Sequence, residues 1–311
     1  MTLIALLTGG TGGLKLLKGF LKVLPQEDIS VIVNTGDDIE LHGLYISPDL
    51  DSAVYLVAGI LDEEKFWGIK GDTFNCLEMM HRYGLPTWFA LGDRDLATHI
   101  WRTHLLRCGL QLSEVVKIMC DKLDVRVRIL PMTNDKVQTY INTNLGVLSL
   151  QEFWVKYKGQ PEVFGVEYRG AEKARPPREV IDVLKGAEAV IIGPSNPVTS
   201  IAPILSIKEI RETIRRVRCR KIAVSPIVGG KAVSGPAAKL MRSLGVEVSP
   251  LGVAQFYKDV AEILVFDRVD SSLVDKVRSI GVIPYVTDTL MNDERDMQRL
   301  ASEIMSLVRG K

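Results

Sequence analysis

The sequence predicts an α/β fold, a doubly wound, Rossmann-like parallel sheet carrying helical and small β-rich insertions. Three features predict it. An apolar run, Leu3-Ile4-Ala5-Leu6-Leu7, breaks into Thr8-Gly9-Gly10-Thr11-Gly12-Gly13, after which Leu14, Leu16, Leu17, Phe20 and Leu21 recur at helical spacing. That pattern reads as strand, glycine turn and helix. Short apolar strands alternate with helical segments towards both ends of the chain, as expected of a parallel sheet covered by helices. Between them, residues 72–124 read as helical and 125–170 as β-rich. Both are expected as insertions within one catalytic domain spanning 1–311.

Taken in order, residues 29–33 form the second strand and end in Asn34-Thr35-Gly36-Asp37-Asp38. Ser47-Pro48-Asp49-Leu50-Asp51 opens a helix marked by Val54, Leu56, Val57 and Ile60, with proline favoured in the first turn. Gly84-Leu85-Pro86 and Cys108-Gly109 punctuate the helical stretch, and a polar block runs from Leu91-Gly92-Asp93-Arg94-Asp95 to Thr98-His99. Residues 125–130, 137–142, 147–150 and 163–168 alternate or run apolar between Asn-Asp, Asn-Leu-Gly and Gly-Gln-Pro turns, which places them in the β-rich insertion. A linker-like Glu172-Lys173-Ala174-Arg175-Pro176-Pro177 follows. Strands at 189–192, 222–224, 263–266 and 282–285 and an amphipathic helix at 293–307 complete the pattern. In a sheet of order 3-2-1-4-5-6, the loops after the first strand and after 189–192 flank the switch point where ligands bind.

Bulk properties exclude several classes. Lys and Arg number 39 against 38 Asp and Glu, so the chain is not expected to bind nucleic acid through a generic basic surface. The four cysteines, Cys76, Cys108, Cys120 and Cys219, include no C-x-x-C pair. They are expected to be reduced and buried. The opening apolar run is too short for a signal peptide, and no segment approaches the roughly 18–20 apolar residues of a membrane span. A cytoplasmic protein, not bound to membrane, is expected. The apolar helical segments between 50 and 123 allow a homodimer.

The loops suggest anion chemistry. Glycines let backbone amides approach a phosphate, and the helix N-terminus adds partial positive charge. Lys15 stands where a dinucleotide fingerprint needs glycine or alanine, and the Lys-Ser/Thr pair of a P-loop is absent. The second strand ends in Asn34 rather than a ribose-reading acid, which disfavours a nicotinamide dehydrogenase. Asp37, Asp38, Asp49 and Asp51 near a phosphate loop suit magnesium. Asp51 is the first choice for a base or for an acceptor of a substrate hydroxyl's hydrogen bond. Arg94 suits bidentate phosphate contact, and His99 falls one turn after Asp95 on the same helix face. Ser195, Asn196, Thr199 and Ser200 offer donors and acceptors for a base or ribose, while Gly229, Gly230 and Gly235 permit close backbone approach. No nucleophile elbow and no H-E-x-x-H spacing occurs.

Taken together, these blocks resemble the 2-phospho-L-lactate transferase family of coenzyme F-420 biosynthesis. The resemblance rests on Gly9-Gly10-Thr11-Gly12, Asn34-Thr35-Gly36-Asp37-Asp38, Ser47-Pro48-Asp49-Leu50-Asp51, Gly92-Asp93-Arg94-Asp95 through Thr98-His99, and Gly193-Pro194-Ser195-Asn196-Pro197 with Thr199-Ser200-Ile201. Ser225-Pro226-Ile227 with Ser234-Gly235-Pro236, Leu130-Pro131-Met132 and Asp288-Thr289-Leu290-Met291 extend it over essentially the whole chain. The resemblance implies magnesium-dependent transfer of a phospholactyl or phosphoenolpyruvyl group from a guanosine diphosphate conjugate to the ribityl hydroxyl of the deazaflavin alcohol Fo, with GMP released. It implies catalytic roles for Asp51, Asp49 and Arg94, and acceptor binding by Asp51, Asp93 and His99. Metal would be held by Asp37, Asp38 and Asp49. The nucleotide would lie against Gly9, Gly10, Thr11, Gly12, Gly193, Ser195, Asn196, Thr199, Ser225, Gly229 and Gly230. One departure is Ala90, where some relatives carry a lysine. The competing reading is a non-catalytic nucleotide-sugar-binding regulator of the gluconeogenesis-factor type. The 47–51 and 92–99 blocks argue against it.

Overall fold

The structure is a computed structural model that describes residues 3–310. Seven parallel strands form the central sheet. They are β1 (Ile4–Thr8), β2 (Ile29–Val33), β3 (Arg128–Pro131), β4 (Ala189–Ile192), β5 (Arg220–Val224), β6 (Ile263–Asp267) and β7 (Ile283–Thr287). Their spatial order is β3-β2-β1-β4-β5-β6-β7. Leu6 lies opposite Val31 on one side and Ile191 on the other, so the order reverses between β1 and β4. Ligand crevices in such sheets open at that reversal, beyond the carboxyl ends of the strands.

Alternation of side chains fixes the two layers. Ala5, Leu7, Ile32, Val190 and Ile192 join one buried cluster, and Ile4, Leu6, Val31, Val33 and Ile191 join the other. Both faces are therefore covered, which explains why these strands read as continuous apolar runs. Each fully buried Val, Leu or Ile contributes about 1.5–3 kcal/mol relative to exposure. The first crossover helix, α1 (Gly10–Leu21), packs with the closing helix Glu294–Val308.

Helix α2 (Pro48–Val57) precedes the helical insertion, which contains α3 (Asn75–Arg82), α4 (Asp93–Arg107) and α5 (Leu112–Lys122). Helix α3 buries none of its residues. Helix α5 buries Leu112, Val115, Val116, Met119 and Cys120 and packs on β3. The β-rich insertion is a three-stranded antiparallel sheet of Gln138–Thr143, Gly146–Ser149 and Val163–Arg169. It is clipped to the loop after β2, where Thr139 N donates to Gly36 O at 2.7 Å.

One expectation needs correction. The run at 125–130 reads as part of the β-rich insertion, yet its second half enters the central sheet as β3, pairing Val31 with Ile129. The hairpin Ile39–Leu41 with Leu44–Ile46 is also additional to the sequence reading. All four cysteines are free, but only Cys120 is buried, and Cys108 is exposed. Among the described residues no helix is long and apolar enough to cross a membrane.

Candidate active site

The glycine turn leads straight from β1 into α1, with Gly9 as the helix N-cap. Gly10 has a φ of +67°, in the left-handed region, which favours glycine. A side chain at Gly12 would collide with the Pro194 carbonyl. Backbone from the loops after β1 and β4 is therefore in direct contact across the switch point. Thr8 Oγ1 and Ser195 Oγ, 3.4 Å apart, join the same two loops. The first-turn amides of a helix have no acceptor within it. Gly10 N donates to Asp49 Oδ1 at 2.8 Å, while Thr11 and Gly12 open on the cleft.

Asn34 ties three loops together. Its Nδ2 donates to Asp49 Oδ2 at 3.1 Å and to Thr199 O at 3.2 Å, and its Oδ1 accepts from Gly36 N at 2.8 Å. Asp37 lies beside Asp49, and its Oδ1 is buried without a hydrogen-bond partner. Burial, followed by the Asp49 charge, pushes the Asp37 carboxyl well above its usual range. Burial raises Asp49 to about 6 against the opposing Gly10 amide and Asn34 bonds. No cation is ion-paired with either carboxylate among the described residues. Such a pair destabilises itself when both members ionise.

These groups line a cleft of about 480 Å³. Its walls are the glycine turn, Asp37 and Asp49, the 194–200 loop, the 225–237 loop, and Thr289 and Met291 beyond β7. Two π-turns, Glu152–Lys156 and Pro197–Ile201, border it, and such turns recur at functional sites.

A second cavity of about 320 Å³ adjoins the first. Tyr55, Trp67, Trp88, Phe89 and Trp154 make its lining aromatic, and Asp51, Asp95 and His99 are the ionisable groups in it. Trp67, Gln151 and Trp154 line both cavities. Asp51 is gripped by Arg102, a fully buried residue of α4. Arg102 Nη1 donates to Asp51 Oδ2 at 3.0 Å, and Nη2 pairs with Oδ1. His99 Nδ1 lies 3.6 Å from Asp51 Oδ2, and its Nε2 lies 3.5 Å from Asp95 Oδ1. Tyr55 Oη donates to Asp95 Oδ1 at 2.9 Å. Ligand atoms of Asp51, Asp95 and His99 all fall within 4.8 Å of one another, so this buried group could hold a metal ion.

Comparison with known proteins decides the family. The family 2-phospho-L-lactate transferase CofD matches residues 4–306. The 2-phospho-L-lactate transferase of Methanopyrus kandleri is 45% identical over 309 residues, covering 98% of this chain and 97% of that protein. The chain belongs to the 2-phospho-L-lactate transferase family. A second relative of the same name, from Methanosarcina acetivorans, is 42% identical over 302 residues, 97% of this chain and 98% of its own. A crystal structure of a UPF0052-family protein from Bacillus halodurans aligns with a TM-score of 0.63 at 16% identity, over 98% of this chain and 100% of that one. At that identity it shows the fold alone.

Within this 2-phospho-L-lactate transferase family member, the residues singled out in the sequence divide into two groups. Gly9, Gly10, Thr11, Gly12, Asp37, Asp49, Ser195, Asn196, Thr199 and Ser225 line the first cavity, and Asp51 and His99 line the second. The others are elsewhere. Both Asp38 oxygens accept hydroxyl hydrogen bonds, from Ser47 and Tyr45, each at 2.7 Å, so Asp38 fastens the 39–46 hairpin. Asp93 accepts from Thr73 Oγ1 at 2.6 Å, Asn75 Nδ2 at 2.8 Å and Cys76 N at 2.9 Å, which makes it a clasp between α3 and α4. Arg94 is exposed, and its amide is capped by Asp72 at 2.8 Å. Gly193 packs on β1 through Leu7 O. Gly229 and Gly230 are exposed, and Ser234, Gly235 and Pro236 line the cleft from that loop instead. No sequence pattern marks Arg102 or Gln151, and Trp67 and Trp154 stand out only as aromatic residues beside Phe66 and Phe153.

Proposed function

We propose that this chain transfers a phospholactyl or phosphoenolpyruvyl group from a guanosine diphosphate conjugate to the terminal ribityl hydroxyl of the deazaflavin alcohol Fo. The observation that carries this reading is the pair of cavities with one shared wall. One is built from backbone amides and carboxylates and suits a diphosphate. The other is aromatic and suits a planar tricyclic ring. The acceptor oxygen forms the new P–O bond, the P–O bond to GMP breaks, and GMP leaves with the electron pair while the hydroxyl proton is released. Such in-line transfer asks mainly for positioning and for neutralisation of phosphate charge.

Magnesium fits Asp37 and Asp49 better than the Asp51 group. The unpartnered Asp37 Oδ1 and the elevated carboxyls on both residues mark a place short of positive charge, and oxygen donors are what magnesium takes. Asp51 already has the Arg102 guanidinium. Bound there, the metal would supply charge neutralisation to the diphosphate. Asp51, held by Arg102 and lining the aromatic cavity, retains lone pairs to accept hydrogen bonds from the other ribityl hydroxyls of the acceptor. The first-turn amides of α1 hold the phosphates.

The test is an incubation of purified protein with magnesium, Fo and the lactyl and enolpyruvyl guanosine diphosphates. Magnesium-dependent release of GMP together with a new deazaflavin product is expected. Absence of both in well-folded protein would overturn the reading.

A further inference from the structure

Transfer between two cavities has to happen at the wall they share, and that wall contains a single side chain able to accept a strong hydrogen bond. Trp67 and Trp154 can only donate through their indole nitrogens. Gln151 can do both. It is 9% exposed, and its Nε2 donates to Asp37 O at 3.1 Å. Because a carbonyl oxygen only accepts, this bond fixes the amide's orientation and leaves Oε1 as the free acceptor. No protein donor bonds to Oε1 among the described residues. The support is firm. Gln151 directly precedes the π-turn Glu152–Lys156, Phe153 next to it is fully buried, and Glu152 is bonded to Ser149 N and Oγ, each at 2.9 Å.

We propose that Gln151 positions the acceptor hydroxyl for transfer, its carbonyl oxygen accepting the O–H hydrogen bond while its amide nitrogen is anchored on the backbone of Asp37. The inference rests on the transferase reading above. It joins the acceptor's alignment to the same loop that carries a proposed magnesium ligand, so hydroxyl and phosphate share one reference frame. Gln151 takes no proton and forms no bond to the substrate. Its effect is therefore on geometry at the reacting oxygen, where a displacement of about 1 Å can lower turnover roughly 10²-fold.

The experiment compares wild type with Gln151→Met, which removes both polar atoms at similar volume, and Gln151→Glu, which keeps an acceptor. For each, kcat is measured alongside Fo affinity (by fluorescence), GDP affinity (by calorimetry) and the magnesium concentration for half-activation. We expect Gln151→Met to lose about 10²-fold in kcat with the other three within twofold, and Gln151→Glu to recover part of the loss. A kcat within twofold of wild type overturns the proposal. So does a parallel loss of GDP affinity and magnesium response, which would make Gln151 a brace for the Asp37 loop. If wild type itself forms no product, the transferase reading falls and this proposal falls with it.

Discussion

Replacing Arg102 with methionine tests how the second cavity carries its charge. Arg102 is the largest fully buried side chain, and Asp51 is 4% exposed, so deleting the guanidinium leaves a nearly buried carboxylate without its countercharge. Breaking a buried pair by removing one partner typically costs about 3–5 kcal/mol, a large share of the roughly 5–15 kcal/mol that holds a domain together. With unfolding entropy of about 2.1 cal/mol/K per residue, that corresponds to a fall of about 5–8 °C in Tm for a chain this long. Asp51→Asn, leaving the guanidinium without its countercharge, should also destabilise. The double variant removes both charges and should be less destabilised than the two singles summed, by at least about 2 kcal/mol. Thermal and urea unfolding of the four proteins measures this directly. Additivity within about 0.5 kcal/mol, or an Arg102→Met variant melting with wild type, would refute the buried pair. Turnover supplies a second reading, since an Asp51 without Arg102 has lost two of the bonds that orient it.

Three further outcomes are expected. Gly12→Ala places a methyl against the Pro194 carbonyl and should weaken GDP binding at least tenfold by forcing apart the loops after β1 and β4, measured by calorimetry. Asp49 has its carboxyl raised from 3.8 to about 6, so the folded state without metal binds an extra proton between those values. Its stability should therefore fall as pH rises across that window, and magnesium should restore it above pH 6 but not below. Tm measured against pH, with and without magnesium, would show the two curves converging at acid pH. Asp93, lowered to about 2 by the Thr73, Cys76 and Asn75 bonds, contributes stability that is present above pH 3.8 and lost as pH falls towards 2. Asp93→Ala should loosen α3 towards protease while leaving Fo affinity within threefold. A selective loss of Fo affinity would return Asp93 to the acceptor site.

What was legible in the sequence was whatever a short stretch specifies by itself. A glycine turn between an apolar run and a helical stripe has one plausible geometry, so Gly9 to Gly12 and the β1–α1 crossover could be read directly. Asp37, Asp49 and Asp51 follow because they stand at the ends of recognisable elements. Membership of a sheet is not local. The 125–130 run alternates like its neighbours, and only the packing of α5 beneath it brings 128–131 beside β2. Arg94 stands at the start of α4, where its charge reads as suited to an anion; its side chain is exposed, and Asp72 caps that turn through the Arg94 and Asp95 amides. Eight residues further along the same helix, Arg102 reads as an ordinary solvent-facing arginine. Its burial arises from α4 packing on the 44–46 strand, which places it against Asp51 some 51 residues away in sequence. Gln151 was invisible for the same reason, its partner Asp37 lying 114 residues earlier.

The two cavities settle their charge in opposite ways, and this bears on why an alcohol rather than water should take the phosphoryl group. In the first cavity the Asp37 and Asp49 carboxylates have no ion-pair partner among the described residues, although Lys15 and Lys65 line the same cleft, and the proposed metal would supply the charge they lack. In the second cavity Asp51 is paired with the Arg102 guanidinium, and Asp95 accepts a hydrogen bond from Tyr55 beside His99. That cavity presents five aromatic side chains to its contents. Water entering there would meet aromatic faces over much of the lining, whereas a planar ring would bury apolar area at about 25 cal/mol per Å² and bring its hydroxyl to the shared wall. Exclusion of water in this way suppresses hydrolysis of a reactive donor. Opening the wall by Trp154→Ala should therefore raise donor hydrolysis relative to transfer, counted as GMP released without deazaflavin product. An unchanged ratio would place the discrimination against water in the donor cleft instead.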